Sequence, residues 1–128
     1  MDASEGRVQH ILVVDDDPAI RDVVADILEI SDYPVDTAVN GAEALEKIRR
    51  ERPAAVLLDL MMPVMNGWEF LRACRKEPPC AHVPVVVMSA ARDASNVVDE
   101  LGAQAFLPKP FELDTILSVV GQVAPARS

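Results

Sequence analysis

Four short runs of branched apolar residues recur along the chain, each bounded by polar or turn-forming residues. The runs are ILVV at 11–14, AVLL at 55–58, VPVVVM at 83–88 and AFL at 105–107. Because they are continuously apolar and do not alternate with polar residues, they are typical of strands covered on both faces in a parallel sheet. The weaker segment PVDTAV at 34–39 is interpreted as a fifth strand, at the edge of that sheet.

Between these runs the apolar residues recur at helical spacing. The segments that carry such a stripe are residues 20–28, 44–48, 70–74, 97–101 and 113–120. Strand and helix therefore alternate five times, and this order favours right-handed crossovers and an open, doubly wound α/β sheet. A closed barrel is excluded because five units are too few for eightfold closure.

The prolines agree with this assignment, since a proline inside a helix costs about 3 kcal/mol or more. None of the ten prolines falls in the interior of a predicted helix. Pro18 is placed in the first turn of the first helix, and Asp17 before it is interpreted as the N-cap rather than as a functional carboxylate. Pro84 is acceptable only at the beginning of its strand.

Composition and charge narrow the class of protein. The chain has 128 residues, of which 50% are hydrophobic, so one domain with a single buried core is expected. Its formal net charge of −9 argues against direct binding to nucleic acid or to anionic membranes. No apolar run approaches the roughly 20 residues that span a bilayer, and residues 1–10 lack the pattern of a secretory signal. We therefore expect a cytoplasmic protein.

Two cysteines, Cys74 and Cys80, are present in the chain. Their spacing matches neither a CxxC redox motif nor a zinc-binding pattern. In a reducing cytosol we therefore expect them to be two buried or otherwise idle thiols.

Polar residues follow the predicted strands at the edge where ligands bind in open parallel sheets. These residues are Asp15, Asp16 and Asp17 after the first strand, Asp59 after the third, Ser89 after the fourth and Lys109 after the fifth. Asp59 alone would not establish a function, because aspartate often follows strands and caps helices. The convergence of four separated segments on one edge is what indicates a site.

The charges of this set predict its chemistry. Crowded carboxylates repel, so that either one of them is protonated or a cation neutralises the group. Oxygen donors without His or Cys point to magnesium, with manganese as the alternative. A carboxylate beside such an ion can attack phosphorus and form an aspartyl-phosphate. Asp59 is then the nucleophile, Asp15 and Asp16 bind the metal, and Lys109 neutralises the phosphoryl oxygens.

Four ordered motifs contain these residues. They are VVDDDP at 13–18, LLDLMMPVMNG at 57–67, VMSA at 87–90 and LPKPF at 107–111. Together they resemble the receiver (CheY-like) domain of two-component response regulators, over residues 10–123. The resemblance implies a flavodoxin-like fold, with a five-stranded parallel sheet in the order 2-1-3-4-5 and five helices.

The resemblance also implies roles for individual residues around the metal. Asp59 aligns with the phosphoacceptor, and Asp15 and Asp16 align with the acidic pair, of which Asp16 should meet the metal directly. The backbone carbonyl of Met61 aligns with the remaining protein ligand.

Further roles concern the response to phosphorylation. Ser89 falls at the hydroxyl position that turns toward the phosphoryl group, and Lys109 at the family's lysine. Phe106 stands where the family has an aromatic residue, often Tyr, that rotates inward on activation. Without a hydroxyl, Phe106 is expected either to switch by packing or to serve only as a core residue.

Two further departures from the family pattern concern the loops around the site. Asn66 stands before Gly67 where Asp is usual, which keeps the turn chemistry and removes a charge. Met61 and Ala91 occupy positions that tune the lifetime of the phosphoryl group, and both are apolar here.

The function implied is that of a phosphoacceptor signalling domain and not of an enzyme with a free substrate. A histidine kinase or a histidine phosphotransfer protein would supply the phosphoryl group, and a downstream protein would bind the face formed by residues 92–123. Residues 1–9 and 124–128 are expected to be tails around a receiver domain at 10–123, with no output domain.

Two alternatives remain at this point. One is a phosphorylation-independent pseudo-receiver that acts as a protein-binding module. The other is an Asp-nucleophile phosphatase, which would be expected to carry a DxD motif after the first strand and a cap for its substrate; the chain has consecutive aspartates and no room for a cap.

Overall fold

The computed structural model describes residues 10–89, 102–109 and 112–124. The strands within these residues are β1 (Ile11–Val14), β2 (Val35–Ala38), β3 (Ala55–Asp59), β4 (Val85–Ser89) and β5 (Ala105–Pro108). The helices are α1 (Pro18–Ile30), α2 (Gly41–Arg50), α3 (Gly67–Lys76) and α4 (Leu113–Val123). The helix predicted over 97–101 lies outside the described residues. Elsewhere the predicted alternation of strand and helix is confirmed.

The five strands form one parallel sheet in the order β2-β1-β3-β4-β5. This order confirms the flavodoxin-like, doubly wound fold. Asp59 at the end of β3 lies beside Met88, and Ser89 at the end of β4 lies beside Pro108. The carboxyl ends of neighbouring strands therefore reach the same edge of the sheet, next to the point where the strand order reverses between β1 and β3.

The core consists of two apolar layers, one on each face of the sheet. Successive side chains of a strand point to opposite faces. Leu12 and Leu58 thus pack in the layer covered by α2 and α3, whereas Val13 and Leu57 pack in the layer covered by α1 and α4. All four are fully buried, which explains why the strand sequences are continuously apolar. Within the described segments, no helix combines the length and the apolar character needed to cross a bilayer.

The helices begin at polar residues that cap them. Asp17 accepts a hydrogen bond from the Ala19 amide at 2.9 Å, directly before Pro18 at the first position of α1, as predicted. Asn66 begins α3 with a capping box, in which its side chain accepts from the Glu69 amide and the Glu69 carboxylate accepts from the Asn66 amide. Pro84 directly precedes β4. The strand therefore begins two residues after the start of the apolar run VPVVVM.

The expectation of two free thiols is wrong, because Cys74 and Cys80 form a disulfide. Both residues are buried, which was one of the two expected states. Cys74 lies in the last turns of α3, and the chain then folds back through two tight turns, in which the Cys80 amide donates to the Glu77 carbonyl and the Val83 amide donates to the Cys80 carbonyl. This return brings the two Cα atoms to 5.0 Å, within the range for a disulfide.

Arg75 holds the same loop from the side of α3. Its Nη1 donates to the carbonyls of Cys80, Ala81 and Val83 at 3.1–3.3 Å, and its Nη2 donates to the Gly102 carbonyl at 2.9 Å. The guanidinium therefore ties the connection before β4 to Gly102, three residues before the start of β5.

Candidate functional site

An open cleft of about 340 Å³ lies at the carboxyl ends of the strands. It is lined by Asp15, Asp16, Asp17, Asp59, Met61, Ser89 and Lys109. The predicted convergence of side chains from separate segments on one edge is thus confirmed, and the sheet explains it, because parallel strands deliver the residues that follow them to a common edge. Asp17 lines the cleft, although its side chain caps α1.

Three carboxylates crowd the floor of the cleft. Asp15, Asp16 and Asp59 each offer an oxygen atom, and these atoms all lie within 4.8 Å of one another. Asp15 is fully buried and Asp59 is 6% exposed, whereas Asp16 is exposed. The Lys109 ammonium lies 3.0 Å from Asp15 Oδ2 and 3.4 Å from Asp59 Oδ1. A single ammonium therefore contacts two of the three carboxylates.

The pKa values reflect this crowding. Burial, followed by repulsion from the Asp15 carboxylate, raises the pKa of Asp59 above its usual value of 3.8, although Lys109 and the Met61 amide oppose the shift. For Lys109 burial alone would lower the pKa, but the contacts with Asp15 and Asp59 outweigh burial and raise it above 10.5. Lys109 is therefore held as a cation, and Asp59 carries a costly charge that a further cation would stabilise.

Hydrogen bonds fix the loop between β1 and α1. The Asp17 amide donates to Asp15 Oδ1 at 2.9 Å, and the Arg21 guanidinium donates to the Asp15 carbonyl oxygen at 2.9 Å. Within the described part of the chain, the Asp16 carboxylate has no hydrogen-bond partner, which leaves its oxygens available. Arg21 was not among the predicted residues. The signal that could have found it is a cation in the first turn of a helix, where the helix dipole disfavours positive charge.

The loop after β3 brings backbone and apolar side chains to the rim. Met61 is 65% exposed and lines the cleft, and Val64 is 82% exposed. Val64 has a φ of 66°, a left-handed conformation that costs an L-residue about 1–2 kcal/mol. The Met65 carbonyl accepts a hydrogen bond from the Gly41 amide at 3.0 Å, which joins this loop to the start of α2.

Ser89 and Phe106 are the two predicted switch residues. Ser89 is 2% exposed at the end of β4, and its carbonyl accepts a hydrogen bond from the Lys109 amide at 3.0 Å. Phe106 is half-buried and packs against the layer of the core that α2 and α3 cover. Their roles in switching stay predictions, and Ala91 lies outside the described residues.

The donor set decides what the cleft can bind. Clustered carboxylate oxygens, with no imidazole or thiol among the residues that line the cleft, suit a hard divalent cation such as Mg²⁺. The cluster carries more negative charge than Lys109 can balance, and such a cation would relieve the excess. The buried Asp59 carboxylate lies 3.4 Å from the Lys109 ammonium, and with a divalent cation bound it would be suited to receive a group whose transfer develops negative charge.

Comparisons with known proteins agree with this picture. The family model for the response regulator receiver domain matches residues 11–121. Response regulator MprA of Mycobacterium leprae (strain TN) is 41% identical over 111 residues, which cover 85% of this chain and 48% of the relative. The probable transcriptional regulator ycf27 of Porphyridium aerugineum is 40% identical over 126 residues, which cover 94% of this chain and 51% of the relative. The chain spans about half the length of these curated relatives.

Solved structures share the fold closely. Chemotaxis protein CheY4 of Vibrio cholerae, crystallised at low pH, has a TM-score of 0.85 at 32% identity, and the match covers 91% of this chain and 99% of that one. The receiver domain of sensor histidine kinase PA1611 from Pseudomonas aeruginosa PAO1 has a TM-score of 0.84 at 25% identity, with 92% and 98% covered. In that structure a magnesium ion is coordinated in the active-site cleft.

The strand order, the acidic cleft and these matches all point to the same protein family. The family model accounts for nearly all of the described residues, and relatives of 40% identity or more cover most of the chain. This chain belongs to the response regulator receiver domain family.

Proposed function

We propose that this domain is the phosphoacceptor of a two-component phosphorelay and that Asp59 takes up the phosphoryl group. The observation that carries the proposal is the setting of Asp59. Its carboxylate ends β3 in an open cleft, within 4.8 Å of carboxylate oxygens of Asp15 and Asp16, and 3.4 Å from the Lys109 ammonium. A carboxylate placed beside a cation site can act as a nucleophile toward phosphorus.

Asp15, Asp16 and Asp59, with the backbone carbonyl of Met61, are proposed to hold Mg²⁺, with Mn²⁺ as the alternative. Oxygen-only donors and the excess of negative charge over Lys109 support this assignment. When bound, the ion offsets the repulsion among the carboxylates and the charge of an incoming phosphoryl group. The exposed Asp16 is proposed as a direct ligand.

The transfer step follows from the residues in the cleft. An oxygen of Asp59 attacks the phosphorus of a phosphohistidine, and the bond from phosphorus to nitrogen breaks with its electron pair passing to the imidazole. The product is an acyl phosphate on Asp59. Lys109 remains protonated because its pKa is raised, so it can donate to the new phosphoryl oxygens while it keeps its contact with Asp15.

The phosphoryl group then provides acceptors that Asp59 alone does not have. Ser89 is proposed to turn toward it, and because the Ser89 carbonyl binds the Lys109 amide, the ends of β4 and β5 are expected to respond together. Phe106 on β5 is proposed to change its packing at the same time. A downstream protein would then bind the face formed by residues 92–123, of which 102–109 and 112–123 are described.

The phosphoryl donor, the location and the bounds of the domain are part of the same proposal. Its phosphoryl donor is a histidine kinase or a histidine phosphotransfer protein in the cytoplasm. The receiver unit spans residues 10–123, flanked by tails at 1–9 and 124–128. The net charge of −9 favours protein partners over nucleic acid or membranes.

The test is phosphorylation by a small donor that needs no kinase. The protein is incubated with acetyl phosphate and MgCl₂, and the intact mass is measured. We expect the mass to increase by one phosphoryl group, in an adduct that alkaline hydroxylamine removes, and we expect no adduct with EDTA in place of MgCl₂. Wild-type protein that stays unmodified under these conditions would overturn the proposal and favour the phosphorylation-independent binding module.

Matched variants locate the adduct. Asp59→Asn should abolish it, because the amide is not a nucleophile toward phosphorus under these conditions. Asp114→Asn removes an exposed carboxylate on α4, outside the cleft, and should leave the yield unchanged. Rapid release of inorganic phosphate from small phosphate esters over many turnovers would favour the phosphatase alternative.

A further inference from the structure

Arg21 contacts the residues on both sides of Asp16. Its backbone amide donates to the Asp17 carbonyl at 3.0 Å, which is the first hydrogen bond of α1. Its Nη1 reaches back and donates to the Asp15 carbonyl at 2.9 Å. One residue therefore holds the backbone immediately before and immediately after Asp16.

The position of this cation is electrostatically unfavourable without a specific partner. Arg21 lies in the first turn of α1, where the partial positive charge of the helix disfavours cations. Among the described residues its guanidinium forms no ion pair with a carboxylate. Its contact is instead with a neutral carbonyl. Arg21 thus fixes the loop without occupying the carboxylate oxygens that a cation would need.

The Asp15 carbonyl belongs to the peptide group that joins Asp15 to Asp16. The other polar groups of Asp15 are already held: its amide donates to Ala38, its Oδ1 accepts from the Asp17 amide and its Oδ2 contacts Lys109. The Asp16 side chain has no hydrogen bond of its own within the described residues. Its direction therefore depends on the orientation of this peptide group, which the Arg21 side chain fixes.

We propose that Arg21 is a positioning residue for the divalent-cation site, because it orients the backbone from which Asp16 projects into the cleft. The inference rests on the proposed function, in which Asp16 is a direct metal ligand. Groups that orient metal ligands typically account for a 10–100-fold effect on metal affinity. Loss of the Arg21 side chain should accordingly raise the Kd for Mg²⁺ about tenfold.

The sign of the effect separates positioning from charge. Removing a cation near an anionic site should strengthen the binding of a divalent cation if charge alone mattered. Removing a positioning contact should weaken it. Arg21→Met keeps the apolar stem and loses both the charge and the donors, so the two explanations predict opposite changes in Kd.

The experiment measures the Kd for MgCl₂ by calorimetry, and that for MnCl₂ by the loss of the free-ion signal in electron paramagnetic resonance. We expect weaker binding of both ions by Arg21→Met, and partial recovery in Arg21→Lys, which restores one donor group and the charge. Arg72→Met is the matched control, since Arg72 is exposed on α3 and its side chain has no hydrogen bond or ion pair within the described residues. Its Kd should stay within about twofold of the wild-type value.

Thermal melts in EDTA establish that each variant is folded, and Arg21→Gln replaces Arg21→Met if the latter is not. An unchanged or tighter Kd in the folded variant overturns the inference. It is also overturned if Arg21→Lys binds the ions no more tightly than Arg21→Met. If the wild-type protein binds neither ion, the magnesium site of the proposed function fails and this inference fails with it. If the wild-type protein binds the ions and Arg21→Met binds them with the same Kd, the inference about Arg21 is rejected and the magnesium site of the proposed function stands.

Discussion

The amide of Gly67 donates to the Leu60 carbonyl at 2.9 Å, and a Cβ atom at Gly67 would lie 2.7 Å from the Cα of Leu60. The first residue of α3 therefore packs directly against the backbone that follows the proposed phosphoacceptor. The same Cβ would lie 2.8 Å from the Asp59 carbonyl oxygen. Glycine at this position allows the close approach that brings α3 against the end of β3.

Gly67→Ala should destabilise the protein and disturb the loop after β3. The added methyl group meets backbone atoms that cannot rotate away, and overpacking of this kind costs about 1–3 kcal/mol. Denaturant unfolding, monitored by the single tryptophan, Trp68, measures the change. Gly121→Ala is the control, because nothing lies within 4 Å of a Cβ at Gly121 in α4. There the helix propensity of alanine should raise stability by about 0.5–1 kcal/mol. Equal effects of the two substitutions would contradict the packing argument.

The fold could be predicted because its signals are local and redundant. The central strands are covered on both faces, so the continuously apolar runs of β1, β3 and β4 identify them without any knowledge of their partners. Asp17 before Pro18 marks the start of α1 for the same reason, since capping involves residues two or three apart. Once the strands are parallel, the polar residues that follow them must share an edge, and most of the cleft lining was predicted in this way.

The features that escaped prediction depend on how the chain returns on itself. The disulfide requires the turns after α3 that bring Cys80 back to Cys74, and a spacing of six residues does not specify them. Arg21 acts through a long side chain that points backward along the chain, and its direction is a choice among rotamers that periodicity does not report. The exposure of Met61 and Val64 follows from the loop conformation. In the sequence both residues lie in an apolar segment that resembles part of a core.

Val64→Gly should stabilise the protein, although it removes an apolar side chain. The φ of 66° at Val64 costs a β-branched residue about 1–2 kcal/mol, and glycine adopts it freely. The side chain is 82% exposed, so little buried area is lost. Because glycine also gains entropy in the unfolded chain, the expected net gain is about 0.5–1 kcal/mol by urea unfolding. Val39→Gly, at an exposed valine without positive φ, should instead destabilise, and a stabilising effect there would undermine the explanation.

Reduction of the Cys74–Cys80 disulfide should lower the free energy of unfolding by about 2 kcal/mol, as expected for a short closed loop. The connection between α3 and β4 should nevertheless keep its position in the folded state, because Arg75 binds the carbonyls of Cys80, Ala81 and Val83. The measurement compares urea unfolding with and without a phosphine reductant. The Cys74→Ala/Cys80→Ala double variant is the control, and its unfolding should not respond to the reductant.

The disulfide should also determine whether Cys74 and Cys80 react with a thiol reagent. Both cysteines are buried, with at most 1% exposure, so a thiol reagent added to the folded, unreduced protein should label neither residue. After unfolding in the absence of reductant the protein should still remain unlabelled, and after unfolding with reductant it should gain two labels. Two labels without reductant would show that the thiols are free in solution.

The raised pKa of Asp59 predicts how stability should depend on pH when no metal is bound. The folded protein keeps this proton to higher pH than the unfolded chain, whose pKa is near 3.8. Stability should therefore fall as the pH rises from 3.8 through the raised folded-state pKa, because ionisation is less favourable in the folded protein. Asp59→Asn cannot ionise and should melt a few degrees above wild type at neutral pH in EDTA, and this difference should shrink as the pH falls toward 3.8.

Lys109 should not complicate this comparison, because it also contacts Asp15 at 3.0 Å and is expected to keep that partner when Asp59 becomes neutral. Asp26→Asn, which removes an exposed carboxylate in the middle of α1, should follow the wild-type melting curve at every pH. Saturating Mg²⁺ should reduce the advantage of Asp59→Asn, since a bound cation stabilises the ionised wild-type carboxylate and not the amide. Lower stability of Asp59→Asn at neutral pH in EDTA would show that the ionised Asp59 contributes more through its contact with Lys109 than it loses through burial and repulsion from Asp15.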